Sequence, residues 1–273
     1  MSELTRSEKS LNQLFAGMWQ NYLALNPDAQ SIHQLFGGHS EVVNDHIALR
    51  TFNLPQVNIA KLAAPLLANG YVEGGDYVFE RKKLVAKHFY HPTNDKLPKV
   101  FISELLVEQF SAELQDTIKQ LINQITPQMV AESDFLYSGK PWQLSFATYQ
   151  KLLAESEYAA WVAAFGYRPN HFTVSINHLS QYNCIDEVNQ LLLDNGFKLN
   201  AVNGLVKGTA LQGLQQSSTL ANKVDVVFTD FTVKIPSCFY EFALRHKIDG
   251  QLFNGFIADS ADKIFESTDV KLA

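Results

Sequence analysis

Two histidines and two glutamates occupy strand-like segments of this chain and have the chemistry of metal ligands. His46 is the second residue of DHIALRTF (residues 45–52), and His171 is the second residue of NHFTVSIN (residues 170–177). Glu104 in FISELLV and Glu241 in CFYEFALR lie in apolar segments, where a carboxylate is costly to bury unless it is paired or coordinated. Imidazoles and carboxylates with open positions suit Fe(II) oxygen chemistry, although Zn, Ni or Mn accept the same ligands.

Each of these candidate ligands also has an ordinary structural interpretation. A strand histidine often serves only as a hydrogen-bonding residue, and a buried glutamate often pairs with an arginine such as Arg50 or Arg245. A metal is favoured because the two histidines stand at equivalent points of two similar halves of the chain. The residues alone therefore predict a metal site and leave His46, Glu104, His171 and Glu241 as its candidate ligands.

Arg50 and Ser175 are the candidate substrate-binding residues. Side chains two apart lie on the same face of a strand, so Arg50 shares a face with His46, and Ser175 shares a face with His171. A guanidinium beside a metal could bind a substrate carboxylate with two parallel hydrogen bonds. We predict this catalytic, substrate-binding role for Arg50, and the alternative is a salt bridge to Glu104 or Asp45.

The elements that would position these residues occur twice. Each half is predicted as a strand, a helix and three further strands, and Gly70 follows His46 at nearly the interval at which Gly196 follows His171. We therefore predict an α+β fold in which two βαβββ modules form one curved mixed sheet, with added helices at the N-terminus and between the modules.

Five segments follow from this pattern, and the two modules share one site and so form one functional domain. The segments are an N-terminal helical arm (1–40), the first module (41–110), a helical insertion (111–165), the second module (166–250) and a C-terminal tail (251–273). In the second module we predict a strand that opens at 195–197 and further strands at 224–228 and 238–244. Residues 207–222, rich in Gly, Gln and Ser, are predicted as a loop that closes the site.

Composition excludes several classes of function. The 273 residues carry a net charge of −6 without a run of Lys or Arg, so no nucleic-acid partner is expected. The N-terminal residues lack a secretory signal, and no stretch is apolar enough to span a bilayer, so a cytoplasmic location is expected. Cys184 and Cys238 are too few for a disulfide framework. The oligomeric state stays open.

Several motifs resemble those of the 2-oxoadipate dioxygenase/decarboxylase family, also called hydroxyglutarate synthase. They are DHIALRTF, KVFISELLVE, GYRPNHFTVSIN, IPSCFYEFALR and GFIADSADKIFEST. The resemblance covers about residue 40 to the C-terminus and implies a fold like that of the vicinal oxygen chelate proteins. It also implies that Fe(II) is held by His46, His171 and Glu241, that Arg50 contacts the substrate, and that Glu104 lies around the ligands or is an alternative ligand.

The implied reaction converts a 2-oxo dicarboxylic acid and O2 to a 2-hydroxy acid and CO2. With 2-oxoadipate the product is 2-hydroxyglutarate, a step of lysine catabolism. Longer family members continue beyond the point where this chain ends and complete the substrate pocket there. The resemblance therefore identifies the metal more firmly than the substrate. Two alternatives are a glyoxalase-like isomerase or hydrolase that uses Ni or Zn without O2, and a non-catalytic protein that binds a small ligand on the same scaffold.

Overall fold

The computed structural model describes residues 6–38, residues 42–264 and Thr268. The remaining residues of the predicted N-terminal arm and C-terminal tail lie outside the described residues. Of the helices in these ranges, none combines the length and the apolar character needed to cross a membrane.

Nine helices are present among the described residues, and several of them cover the outer face of a large sheet. They are α1 (Arg6–Leu23), α2 (Pro27–Leu35), α3 (Ile59–Leu67), α4 (Ala112–Ile122), α5 (Pro127–Ala131), α6 (Phe146–Glu155), α7 (Glu157–Phe165), α8 (Ile185–Asp194) and α9 (Ala258–Ile264). The four helices α4 to α7 form the predicted insertion. The sequence of α3 is typical of an amphipathic helix: Asn58 caps its first turn, and Ile59, Leu62 and Leu66 are buried.

The main sheet is mixed and contains eight strands. These strands are β1 (Asn44–Phe52), β2 (Val72–Phe79), β3 (Leu84–Tyr90), β4 (Lys99–Leu105), β5 (Pro169–Ser175), β6 (Lys207–Thr209), β7 (Leu214–Ser218) and β10 (Phe239–Arg245). Their spatial order is β2-β3-β4-β1-β5-β10-β7-β6. Two separate hairpins pair β8 (Lys223–Val227) with β9 (Thr232–Pro236) and β11 (Lys247–Ile248) with β12 (Gln251–Leu252).

The two halves of the sheet have the same construction and meet at its centre. β1 pairs with β4 in parallel, β5 pairs with β10 in parallel, and β1 and β5 pair with each other antiparallel. In this central pair His46 is opposite Thr173, and His171 is opposite Ala48. Because facing residues in a ladder point to the same side, this register directs both histidines to one face of the sheet.

The structure corrects three predictions for the second module. Residues 195–197 are not a strand, because Asn195 caps α8 and Gly196 has a φ of +83°, which ends the helix in a turn. Residues 207–222 are not a loop, because they contain β6 and β7 joined by a turn at Gly213. The strand predicted at 224–228 lies outside the main sheet, since β8 pairs with β9 alone.

Candidate metal centre

Three side chains from β1, β5 and β10 converge in the interior of the sheet. His46, His171 and Glu241 are all buried, and one potential ligand atom from each lies within 4.8 Å of the others. Glu241 is between the two rings: its Oε1 is 3.4 Å from His46 Nε2, and its Oε2 is 3.3 Å from His171 Nε2. The three ligands that the family resemblance implied are thus brought together by the fold.

Asp45 fixes the orientation of the His46 ring. Its Oδ1 accepts a hydrogen bond from His46 Nδ1 at 2.8 Å, which leaves Nε2 as the nitrogen that faces Glu241. Burial opposes the charge on Asp45, but the ion pair with Arg245 and the contact with His46 hold the pKa of this carboxyl well below its usual range. Asp45 is therefore an anion that can orient His46 at any physiological pH.

His171 is held as a neutral imidazole in a buried position. Its Nδ1 is 3.2 Å from Asn170 Oδ1, and its ring lies against Phe239, with 4.5 Å between ring centroids. Burial, followed by electrostatic interaction with His46 and with the positive charge of Arg50, lowers the pKa of His171 well below its usual range. Neutral imidazole is the form that binds a metal ion.

Glu241 has the electrostatic character of a carboxylate that needs a cation. It is fully buried, and burial raises its pKa to about 7, although the neighbouring His46 works against this rise. Its Oε1 accepts a hydrogen bond from Gln216 Nε2 at 2.5 Å, whereas Oε2 accepts none within the described part of the chain. Two imidazoles and a carboxylate with a spare oxygen fit a divalent transition metal.

Arg50 lies at the opposite end of the same cavity. Its guanidinium is buried against the rings of Tyr158 and Trp161 of α7, with Cζ 5.1 Å and 5.0 Å from their centroids, and Nη2 donates to Thr268 Oγ1 at 3.3 Å. Burial lowers the pKa of Arg50. The alternative salt bridge from Arg50 to Asp45 or Glu104 does not form, because Asp45 pairs with Arg245 and Glu104 lies on the other face of the sheet.

The prediction placed Glu104 at or around the metal ligands, and the structure places it elsewhere. β4 sets Lys99 opposite His46, just as β10 sets Phe239 opposite His171, so the residue that corresponds to Glu241 in the first half is Phe101. Glu104 is three residues farther along β4 and therefore points to the opposite face. There its Oε2 accepts a hydrogen bond from the backbone N–H of Ile59 at 2.8 Å, at the start of α3.

Replacing Glu104 by glutamine is expected to leave metal binding unchanged. The carboxylate contributes only a hydrogen bond near a helix N-terminus, so stability should fall by about 1 kcal/mol or less. Calorimetric titration with a divalent metal and a urea denaturation curve measure the two effects. A loss of metal affinity above about tenfold would place Glu104 at the metal after all.

Ser175 is also outside the cavity formed by the described residues. Its hydroxyl lies 2.9 Å from His178 Nδ1, where β5 ends. Because β1 and β5 are antiparallel, moving from His46 towards Arg50 on β1 means moving from His171 back towards Pro169 on β5. The cavity extends in that direction, and Ser175 lies in the other, so this cavity does not support the predicted role of Ser175 in substrate binding.

Gln216 and Phe256 are site residues that the sequence pattern did not reveal. Both line the cavity, Gln216 from β7 and Phe256 from the stretch that follows the last strand. Gln216 lies in the segment that was predicted as a loop. This segment does reach the site, because Gln216 contacts Glu241. The remaining lining residues are the apolar Ala48, Leu49 and Phe101 and the polar Ser103 and Asn170.

Replacing Gln216 by leucine is expected to weaken metal binding about tenfold. The amide donates to the carboxylate of Glu241, and residues that orient a ligand typically contribute 10- to 100-fold to metal affinity. Competition with a chelator of known affinity measures this change. An unchanged affinity in a folded variant would show that Glu241 needs no orienting partner.

The chain is similar to known proteins over most of its length. The sequence profile of the 2-oxoadipate dioxygenase/decarboxylase family matches residues 9–249. The chain is 34% identical to the chloroplastic 2-oxoadipate dioxygenase/decarboxylase of Arabidopsis thaliana, over 98% of this chain and 80% of that protein.

Two solved structures are similar over nearly the whole chain. Hydroxyglutarate synthase from Oryza sativa, in complex with 2-oxoadipate, is 33% identical with a TM-score of 0.89, and the match covers 99% of this chain and 96% of that one. A Shewanella frigidimarina protein described as a hydrolase is 57% identical with a TM-score of 0.88, over 91% and 98% of the two chains. These matches confirm the predicted α+β class with its curved mixed sheet. The chain belongs to the 2-oxoadipate dioxygenase/decarboxylase family, as its motifs predicted.

Proposed function

We propose that this protein is an Fe(II)-dependent dioxygenase/decarboxylase that converts 2-oxoadipate and O2 to 2-hydroxyglutarate and CO2. The observation that carries the proposal is the buried trio His46, His171 and Glu241 in the same cavity as Arg50, in a chain of this family. Related proteins named for this activity and a relative with bound 2-oxoadipate support the choice of substrate. A cytoplasmic location and a role in lysine catabolism are part of the same proposal.

The proposed metal ligands are His46 Nε2, His171 Nε2 and one or both oxygens of Glu241. Two imidazoles and one carboxylate leave several coordination positions open, as non-haem iron oxygenases require. When bound, iron would supply Lewis acidity towards the 2-oxo acid and would activate O2. The choice of Fe(II) over Zn, Ni or Mn rests on the dioxygenase activity named for the family.

Arg50 would bind the distal carboxylate of the substrate. It lies four residues after His46 on β1, roughly 13 Å away between backbones, and its long side chain can reach back towards a substrate held at the metal. A guanidinium held against two aromatic rings is restrained, so it loses little side-chain entropy when a carboxylate binds. This contact orients the substrate chain along the cavity.

The remaining walls would keep water away from the reacting atoms. The rings of Phe101 and Phe256 are in contact near the ligands, tilted by 58° with 5.0 Å between their centroids, and Ala48 leaves space beside His171. A cavity without water strengthens the electrostatic contacts of Arg50 and of the metal ligands. It also limits side reactions at the reacting atoms.

Oxygen uptake by iron-loaded protein is the direct test of this proposal. Protein reconstituted anaerobically with Fe(II) is expected to consume O2 with 2-oxoadipate and to form 2-hydroxyglutarate and CO2 in equal amounts. His46→Ala and a zinc-loaded sample serve as controls that should consume none. No uptake with any 2-oxo acid by a sample that holds one iron per chain would overturn the proposal. Turnover without O2 by the zinc- or nickel-loaded protein would instead support a glyoxalase-like isomerase or hydrolase.

A further inference from the structure

A short stretch after the last strand of the main sheet covers the candidate metal centre. We call residues 253–256 the closing segment. Its last residue, Phe256, is buried, and its ring is perpendicular to that of His46, with 4.8 Å between centroids. The backbone N–H of Phe256 donates to Tyr77 Oη at 3.1 Å, so this stretch from the end of the second half rests on the first half. The closing segment forms a cavity wall without supplying any of the three ligands.

Arg245, the last residue of β10, holds the closing segment by its backbone. Its Nη1 donates to the carbonyl oxygens of Phe253 at 3.0 Å and of Gly255 at 2.8 Å. The guanidinium also lies over the ring of Phe256, with 5.3 Å between Cζ and the ring centroid. Because the two hydrogen bonds go to main-chain oxygens, they do not depend on which side chains the segment carries.

The other edge of the same guanidinium reaches a metal ligand through one carboxylate. Arg245 Nε and Nη2 donate to the two oxygens of Asp45 at 2.6 Å and 2.9 Å. Asp45 in turn accepts from His46 Nδ1 at 2.8 Å. Arg245 and Asp45 are both buried, so solvent does not compete for these contacts.

We propose that Arg245 is a positioning residue that couples the closing segment to the metal ligand His46. With the segment in place, the two carbonyls fix the guanidinium in the orientation that grips Asp45, and Asp45 then fixes the His46 ring. When the segment moves away, Arg245 loses two partners in a buried site, and the Asp45–His46 pair loses its restraint. Closure of the cavity and binding of a metal therefore favour each other, as linkage requires.

The shape of the side chain explains why an arginine performs this role. A guanidinium is planar and presents five donors in a rigid fork, and four of its contacts here lie along two edges of one plane. A lysine at the same position has one ammonium nitrogen on a flexible stem. It could keep an ion pair with Asp45 or a contact with the carbonyls, but it could not hold both in a fixed geometry.

The first test uses the unaltered chain and Co²⁺ as the probe metal. It rests on the proposed function only in assuming that His46, His171 and Glu241 bind a divalent metal. Addition of Co²⁺ is expected to slow amide hydrogen exchange in the closing segment by at least about fivefold, the lower end of typical coupling between sites. The β8–β9 hairpin is the internal control and should change by less than about twofold.

Two variants then separate Arg245 from the direct contact between Phe256 and His46. Arg245→Lys is expected to lose the Co²⁺-induced protection of the closing segment and to bind Co²⁺ about 10- to 100-fold more weakly. Phe256→Leu removes the ring but keeps the backbone bonds, so it should retain the protection. Arg81→Lys, at an exposed arginine, is the matched control and should behave like the unaltered chain.

These measurements distinguish failure of the coupling from failure of the proposed activity. Co²⁺ binding without protection of the closing segment in the unaltered chain would overturn the coupling, and this result does not depend on any turnover. Loss of protection in Phe256→Leu but not in Arg245→Lys would overturn it as well. If Arg245→Lys does not fold, Phe256→Leu still decides, because loss of protection in that variant would assign the effect to the Phe256 ring and overturn the coupling through Arg245. Coupling without oxygen uptake would leave this inference standing and reject the dioxygenase.

Discussion

Glu241→Gln is expected to make the metal-free protein more stable while it removes metal binding. A fully buried carboxylate whose pKa is raised from 4.5 to about 7 is destabilising in its charged form by about 3 kcal/mol. Glutamine keeps the shape and can still meet Gln216, but it carries no charge to bury. At neutral pH the melting temperature of the metal-free variant should therefore rise by at least about 5 °C. Metal affinity should fall at least about 100-fold, because even residues that only orient a ligand contribute up to this amount.

The pH dependence of the unfolding free energy provides a second check of this prediction. Between pH 4.5 and about 7 the folded metal-free protein keeps a proton on Glu241 that the unfolded chain has released. Stability therefore falls as pH rises through this window, and the contribution is fully present only below pH 4.5. The difference in unfolding free energy between the variant and the unaltered protein should thus grow from pH 4.5 to 7 and then become constant.

Urea denaturation of chelator-treated protein across this pH range measures the effect. Glu104→Gln is the matched control, because it makes the same chemical change at a half-buried carboxylate on the other face of the sheet. Burial also raises the pKa of Glu104, but this carboxylate is only half-buried, so the stability of the control should change by about 1 kcal/mol or less and its metal affinity should not fall. If Glu241→Gln destabilised the metal-free protein at pH 8, Glu241 would be a structural residue and not a ligand held ready for a cation.

Four candidate ligands could be identified from the sequence because their strand positions depend on short-range regularities, and the family resemblance then implied three of them. Strand alternation fixes which face a residue occupies, and the recurrence of His46 and His171 in two similar halves fixes their relation. The same reasoning failed for Glu104 because face assignment requires the register between strands. An error of one residue in register moves a side chain to the opposite face. Only the paired positions of β4 and β10 identify Phe101, not Glu104, as the counterpart of Glu241.

The polar strand β7 shows a second limit of prediction from sequence. Gln216, Ser217 and Ser218 are buried, which breaks the hydrophobic pattern by which strands are recognised. Gln216 Nε2 donates to Glu241 on the cavity side, and Ser217 Oγ donates to Asn189 on α8 at 2.6 Å. These hydrogen bonds to distant parts of the chain offset part of the cost of burying the polar groups. Those partners are set by tertiary packing and leave no local signal.

The pairing of Asp45 with Arg245 illustrates the same point at the site itself. The sequence showed an acid beside His46 and two arginines that could reach it, and Arg50 was the nearer in the chain. The sheet instead brings the end of β10 to the start of β1, so Arg245 forms the ion pair with Asp45. Arg50 is thereby left beside Tyr158 and Trp161 at the other end of the cavity, which makes it the residue to test for substrate recognition.

Arg50→Gln is expected to abolish the preference for a dicarboxylic substrate. A bidentate contact between guanidinium and carboxylate contributes about 3 kcal/mol, so kcat/KM for 2-oxoadipate should fall by at least about 100-fold. The monocarboxylic analogue 2-oxohexanoate has the same chain length but nothing for Arg50 to bind, and its kcat/KM should change by less than about fivefold. The ratio of the two constants, measured by oxygen uptake with iron-loaded protein, isolates recognition of the distal carboxylate from the chemical step.

Two controls make the result for Arg50 decisive. Co²⁺ affinity should stay within about twofold of the unaltered protein, because Arg50 lies at the far end of the cavity from the three ligands. Arg50→Lys keeps a positive charge but not the planar fork, so it should recover only part of the preference. An equal loss for both substrates would mean that Arg50 supports the cavity through its contacts with α7, and recognition of the dicarboxylate would then have to come from another residue.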